Sequence, residues 1–213
     1  LFRLLSGEQI HPEPDSIRIN DVGVSRMNAN GRRQLGLACI PEERLGRGAA
    51  AGFSLRDNLF LTHHGRNLVR YGFIKHKETD ERSTQVIDRF SVQCEGPRAA
   101  AESLSGGNLQ RFIVGREIEL NPTVLIASQP TWGLDVAAAA FIRQTLIDLS
   151  RAGAAVLVFS EELEELLEIC DQIAVMYSGQ MSQTIPRSDA DIEKIGLLMA
   201  GEGFPAHTAS QRH

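Results

Sequence analysis

The apolar positions of this chain fall into short runs between polar and glycine-rich stretches, and their spacing alternates between two periods. Leu35-Gly36-Leu37-Ala38-Cys39-Ile40, Thr123-Val124-Leu125-Ile126-Ala127 and Ala154 to Phe159 are apolar runs of strand length, the pattern of strands covered on both faces. Elsewhere the period lengthens to that of a helix. Val86, Ile87 and Phe90 lie at helical spacing, as do Phe141, Leu146 and Leu149 in the alanine-rich stretch Val136 to Leu149. The mixed run up to Leu120 and Ile192 to Ala200 also read as helices. Strands alternating with helices predict an α/β fold, a parallel sheet flanked by helices.

Weaker signals fill the gaps. Leu1 to Leu5 reads as the last turns of a helix leaving through Ser6-Gly7-Glu8, and Ile17-Arg18-Ile19 and Val22-Gly23-Val24 as short strands. Asn28 to Leu35 is a polar helix or turn, and Gly46 to Gly52 is Gly/Ala-rich and expected to be mobile. Ser54 caps a following helix. Ser160 to Glu165 begins an acidic helix, its charge at the favourable end of the dipole, and Ile173–Tyr177 with Gln180–Thr184 predicts a hairpin around Ser178-Gly179. Residues 201–213 are polar enough to be disordered. His63, His64, Lys75, His76 and Lys77 have no partners at metal-ligand spacing and read as solvated surface.

Composition narrows the classes. At 213 residues, 42% hydrophobic and 23% charged, the chain can bury one good core with a small subdomain. A net charge of −5 argues against a nucleic-acid binder, which needs a basic face to neutralise phosphates. Cys39, Cys94 and Cys170 are widely spaced, a pattern of neither a disulfide framework nor a zinc site. No apolar run reaches the length of a membrane span, and Leu1 to Leu5 lacks the basic flank of a signal peptide. Any membrane link is expected to run through a partner.

Candidate chemistry concentrates in one octet, Leu104-Ser105-Gly106-Gly107-Asn108-Leu109-Gln110-Arg111. A serine and two glycines opening a helix expose backbone N–H groups at the positive end of its dipole, a ready phosphate site. A Ser/Gly cap on an ordinary helix would look the same. The next apolar run ends in Ser128-Gln129-Pro130-Thr131-Trp132-Gly133-Leu134-Asp135. Together these stretches resemble the nucleotide-binding domain of ABC transporter ATPases, whose LSGGQ signature precedes a strand ending in DEPTxGLD. LSGGN and PTWGLD are most similar to the second ATPase domain of the double-domain proteins that drive import of simple sugars and nucleosides.

That resemblance implies an ABC ATPase core of P-loop NTPase type with an inserted α-helical subdomain. It divides the chain into a partial core over 1–54, a helical subdomain over 55–103 facing membrane subunits, a core with signature, Walker B-like, D-loop and switch regions over 104–200, and a tail over 201–213. It implies ATP and Mg²⁺ as cofactors, and as partners a first ABC domain and transmembrane permease subunits, with no nucleic acid. The expected location is the cytoplasmic face of the plasma membrane, peripheral through the permease. The family's phosphate loop, GxxGxGK[ST], does not occur in these residues, so the chain reads as a fragment or as a domain without that loop.

Residue by residue, Ser105, Gly106, Gly107 and Asn108 match the signature that caps ATP held by the partner domain, and Asp135 matches the D-loop at the dimer seam. Glu42 stands at the Q-loop glutamine. A solvated acidic turn explains Glu42 equally well, although a carboxylate there can ligate a hard cation. Three positions depart from the family: Ser128 replaces the Walker B aspartate, Gln129 the catalytic glutamate and Glu161 the switch histidine. An amide cannot accept a proton as a base, and a serine hydroxyl is a weak magnesium partner. The chain alone is therefore expected to hydrolyse ATP very poorly. The Ser-Gln-Pro-Thr and Ser-Glu-Glu-Leu runs favour a nucleoside importer over a ribose carrier. The competing reading is a truncated, non-catalytic ABC remnant acting as an interaction module; an ABC protein of repair or translation fits the acidic balance less well.

Overall fold

The three apolar runs do form one parallel sheet, and three of the helices between them start at a side-chain cap, from Ser54, Ser105 and Asp135. The computed structural model describes residues 1–63, 65 and 67–204, and the chain divides into two compact units at Phe159 and Ser160.

In the first unit, α1 (Phe2–Ser6) is followed by a small antiparallel pair, β1 (Arg18–Ile19) and β2 (Val22–Gly23). Next, α2 (Ala29–Gln34) begins where the Asn28 side chain accepts the Gly31 amide at 3.0 Å, and β3 (Leu37–Ile40) is buried throughout. The segment over 46–52 is held rather than loose. Gly48 N donates to Glu43 O at 2.9 Å, Ala49 N to Arg44 O at 2.7 Å, and Ala50 N to Asn58 Oδ1 at 2.7 Å. This corrects the expected mobility: Asn58, buried in α3 (Leu55–His63), uses its amide to replace the regular backbone partners that the Gly/Ala run lacks.

The segment read as helical has a hairpin inside it, β4 (Val69–Arg70) against β5 (Phe73–Ile74), before α4 (His76–Arg89). After a 3₁₀ turn at Ala101–Ser103 come α5 (Gly106–Glu119), β6 (Val124–Ser128), α6 (Val136–Arg151) and β7 (Ala155–Phe159). The sheet order is β3-β6-β7, all parallel, with Leu37 opposite Val124 and Val124 opposite Ala155. β6 is central and buried at Leu125, Ile126 and Ala127, whereas β7 is an edge strand whose Leu157 is 42% exposed. One core cluster joins Ile19, Val24, Leu37, Cys39 and Ile126. Helix α5 packs on β3, α4 and α6.

One buried polar group reads differently in the structure than in the sequence. His63 is fully buried, its Nε2 2.7 Å from Glu119 Oε2 and its Nδ1 3.1 Å from the Leu59 carbonyl, which corrects its reading as solvated surface. A carboxylate 56 residues away explains how a histidine can sit there. His64 lies outside the described residues. Lys75 and Lys77 are at the surface, 3.6 Å from Glu78 and 4.0 Å from Glu81.

Gly115 of α5 lies against the last turn of α4. A Cβ there would stand 2.6 Å from Phe90 Cδ2 and 2.9 Å from Val86 Cγ1, both on buried side chains. Alanine favours a helix interior by about 1 kcal/mol over glycine, but forcing a methyl into a filled core costs about 1–3 kcal/mol. Gly115→Ala is expected to destabilise the protein by about 1–2 kcal/mol, read as a lower denaturant midpoint at unchanged slope. A midpoint equal to or above wild type would show that α4 retreats without cost.

The second unit starts at Ser160. Its helix, α7 (Leu163–Ile169), begins three residues later than the acidic run suggested, because Ser160 Oγ accepts the Glu162 amide at 3.1 Å and donates to Glu165 Oε2 at 2.8 Å. β8 (Gln172–Ile173) and β9 (Met176–Tyr177) follow, then β10 (Gln180–Met181) and β11 (Ile185–Pro186). β9 pairs with β10 around Ser178-Gly179, as predicted, and β8 pairs with β11 outside them. Asp191 caps α8 (Ile192–Met199), its Oδ1 accepting the amides of Glu193 at 2.9 Å and Lys194 at 3.3 Å. Of the predicted tail, residues 205–213 lie outside the described residues.

Candidate functional site

The octet opens α5 as the sequence implied. Ser105 is the N-cap, extended at φ −61° and ψ 154°, and its Oγ accepts both the backbone N–H of Asn108 at 3.4 Å and its Nδ2 at 3.0 Å. Asn108 in turn accepts the Gln93 amide at 2.8 Å, which fixes the first turn to the loop before it. Ser105 and Gly106 are exposed. The first-turn amides of a helix have no partners within the helix, so this end offers donors to solvent.

Two further elements converge here. Asp135 caps α6, its Oδ1 accepting the Ala138 amide at 2.9 Å. Gly107 lies beside it: a Cβ at that position would be 3.6 Å from both Asp135 Oδ2 and Ala138 Cβ. Arg44, from the turn after β3, donates to the Trp132 carbonyl, and a Cβ at Gly106 would be 3.1 Å from its Nη1. Its Nε is buried without a hydrogen-bond partner among the described residues, and burial lowers its pKa from the ordinary guanidinium value. Sequence reasoning quoted Arg44 within Pro41-Glu42-Glu43-Arg44 but gave it no role. The available signal was an arginine placed directly after a buried strand.

The turn after β6 is built by its backbone. Gln129 adopts φ 49°, its N–H donates to Phe159 O at 2.8 Å, and its carbonyl accepts from Trp132 N–H at 3.2 Å. Gln110 of α5 reaches over and donates to Pro130 O at 2.8 Å, which ties α5 to this turn. Its Oε1 is buried with no partner among the described residues. Ser128 and Gln129 are half-buried, at the end of β6. Glu42 is exposed, two residues before Arg44. Glu161 belongs to the second unit, just ahead of α7.

The last turn of α5 carries, on its buried side, an ion cluster that the sequence did not announce. Glu117 is fully buried, 2.7 Å from Arg33 Nη1 and 2.8 Å from Arg116 Nη2, and accepts the Cys39 amide at 3.4 Å. Burial alone would raise its pKa, but the two guanidinium groups outweigh burial and hold it below the usual carboxylate range. Arg116 also donates to the Gly48 carbonyl at 2.8 Å. Desolvation pushes the neighbouring Cys39 thiol up to about 12.

The donor set suits one ligand type and not another. Helix-start amides, two glycines without side chains in the way and a nearby guanidinium fit a phosphate. Ser128 and Gln129 provide no anionic oxygen, so the end of β6 does not fit Mg²⁺, which is held through carboxylates and phosphates.

Comparison with known proteins agrees with this geometry. No family model matches the chain. The nucleoside import ATP-binding protein NupA of Lactococcus lactis subsp. cremoris is 34% identical over 187 residues, 87% of this chain and 37% of that protein. The guanosine import ATP-binding protein NupO of Bacillus subtilis gives the same identity and coverage. The ribose import ATP-binding protein RbsA of Bacillus licheniformis is 34% identical over 79% of this chain and 34% of its own length. The chain is similar in sequence to these import ATP-binding proteins and has the fold of an ABC ATP-binding cassette. Among solved structures, the dimeric ATP-binding cassette MJ0796 in a post-hydrolysis state superposes with a TM-score of 0.72 at 16% identity, covering 87% of this chain and 78% of that one. The nucleotide-free cassette of an ABC transporter gives 0.69. The chain spans under two-fifths of the length of these curated relatives. Among the described residues no helix is long and apolar enough to cross a membrane.

Proposed function

We propose that this chain is part of the ATP-binding subunit of an importer for simple sugars or nucleosides, and that it works by lending its signature to ATP held on a partner ABC domain. The observation that carries this reading is the contrast between two ends of the same structure. Ser105, Gly106, Gly107 and Asn108 open a capped, exposed helix beside Arg44 and Asp135, while Ser128 and Gln129 at the end of β6 carry neither a base nor an anionic metal ligand. The relatives named above are import ATP-binding proteins, and nucleoside import is favoured over ribose by the same sequence runs. The surface around Asp135 also suits a partner domain, since Trp132 is 58% and Val136 84% exposed.

In this role the triphosphate supplies the scissile bond, and the residues of this chain do the rest without chemistry of their own. The Ser105 hydroxyl and the amides of Gly106 and Gly107 orient the γ-phosphate, Arg44 adds positive charge behind them, and Asp135 holds the seam. Glu42 meets the permease side, and Gln129 leaves the end of β6 without a carboxylate to accept a proton.

The test is ATP turnover and Mg-ATP binding by the chain alone and mixed with a catalytically intact partner domain. The expected result is no turnover above background alone and turnover in the mixture that exceeds the partner alone by about tenfold or more. Turnover by the isolated chain would overturn the reading.

A further inference from the structure

The hairpin of β4 and β5 displays side chains that a surface turn seldom leaves bare. Tyr71 is 86% exposed and Phe73 79%, flanked by Val69 at 42% and Ile74 at 40%. Tyr71 at φ 52° and Gly72 at φ 82° both occupy the left-handed region, the arrangement of a tight two-residue hairpin turn whose twist matches its strands. The aromatic tip is therefore set by the backbone rather than free to fold back onto the protein. The Arg70 guanidinium lies 5.2 Å from the centre of the Tyr71 ring. Charge is segregated here as well: residues 63–77 include Arg66, Arg70, Lys75 and Lys77 and no Asp or Glu, in a chain of net charge −5.

We propose that this hairpin is an interfacial anchor for an anionic lipid surface, with Tyr71 and Phe73 entering the headgroup layer and Arg70, Lys75 and Lys77 lying against lipid phosphates. Tyrosine suits that boundary because its ring is apolar and its hydroxyl is wet, and arginine and lysine reach headgroups while their stems stay in apolar surroundings. Lys75 and Lys77 face Glu78 and Glu81 at 3.6 and 4.0 Å. These solvent-accessible pairs are weak and yield readily to a dense anionic surface. A folded protein partner fits less well. A stable protein interface takes about 800 Å² from each side, far more than two strands of two residues and a convex tip provide. A lipid layer needs only a few inserted side chains ringed by cations. The assignment holds whether or not the signature serves a partner's ATP.

Flotation of the whole chain with phosphatidylcholine vesicles, with and without phosphatidylglycerol, tests it. Binding is expected to rise by about tenfold or more when phosphatidylglycerol is present and to weaken with salt. Arg70→Glu should lower it by about fivefold or more, and Tyr71→Ala/Phe73→Ala by about tenfold. All three side chains are exposed, so thermal melts of these variants should match wild type. As a second readout, Tyr71→Trp in a Trp132→Phe background should shift its emission to the blue on anionic vesicles. Equal binding to both vesicle types, undiminished binding by Tyr71→Ala/Phe73→Ala, or an unshifted emission would overturn the proposal. So would retention on an immobilised acidic peptide by a chain that ignores the vesicles.

Discussion

Replacing Glu117 by alanine is expected to remove about 3–5 kcal/mol of stability, the usual cost of breaking one side of a buried ion pair. The loss is large because three things fail together. Arg116 is 3% exposed and would keep its charge with no carboxylate beside it, the Cys39 amide on β3 would lose an acceptor, and a cavity would open between α5 and the sheet. Against a typical domain stability of about 5–15 kcal/mol, such a loss brings the protein close to unfolding at ambient temperature. Glu117→Gln distinguishes charge from shape, since it keeps the volume and one acceptor. The pH dependence follows from the depressed carboxyl pKa. Glu117 contributes its stability above the pKa of the unfolded chain, about 4.3, and that contribution is lost as pH falls through the lower, folded-state value. Urea midpoints across acid pH should therefore fall more steeply for wild type than for Glu117→Gln. Parallel curves would mean that the cluster does not hold its charge.

The second large effect concerns function. Ser105→Arg, in a mixture with the intact partner domain, is expected to lower partner-dependent ATP turnover by about 100-fold or more, the scale seen when one preorganised donor at a developing charge is lost. The substitution removes the cap that holds Asn108 and fills the exposed helix start with a long side chain, so no phosphate can approach the Gly106 and Gly107 amides. Gln129→Ala should change the same turnover by less than about twofold, a difference too small to register as lost transition-state binding. Comparable losses from both would show that the two ends of β6 and α5 do not divide the work as proposed.

What was legible in the sequence was whatever depends on neighbours along the chain. Ser54 and Ser105 cap the helices that they precede, and the run Val124 to Ala127 is the central strand because nothing polar interrupts it. The hairpin at Ser178-Gly179 was announced by its turn residues. The ion cluster was not, because Arg33 and Glu117 are 84 residues apart, and each alone looks like a surface charge. His63 failed for the same reason. The β4–β5 hairpin escaped because its strands are two residues long, too short for any alternation to show. Arg44 is the most instructive omission. Its position followed from the strand before it, but its contact with the Trp132 carbonyl needed the parallel pairing of β3 and β6 to bring the two turns to the same end of the sheet.

The turn at Gln129 has a consequence for how such a domain can change over evolutionary time. Its left-handed backbone is held by its own N–H and C=O, through Phe159 and Trp132, and not by the amide of its side chain. The chemical identity of that side chain is therefore separable from the architecture: an isosteric exchange between amide and carboxylate leaves every bond that shapes the turn in place. An amide and a carboxylate at position 129 are, for this scaffold, a single substitution apart, and the hydrogen bonds of the turn do not choose between them.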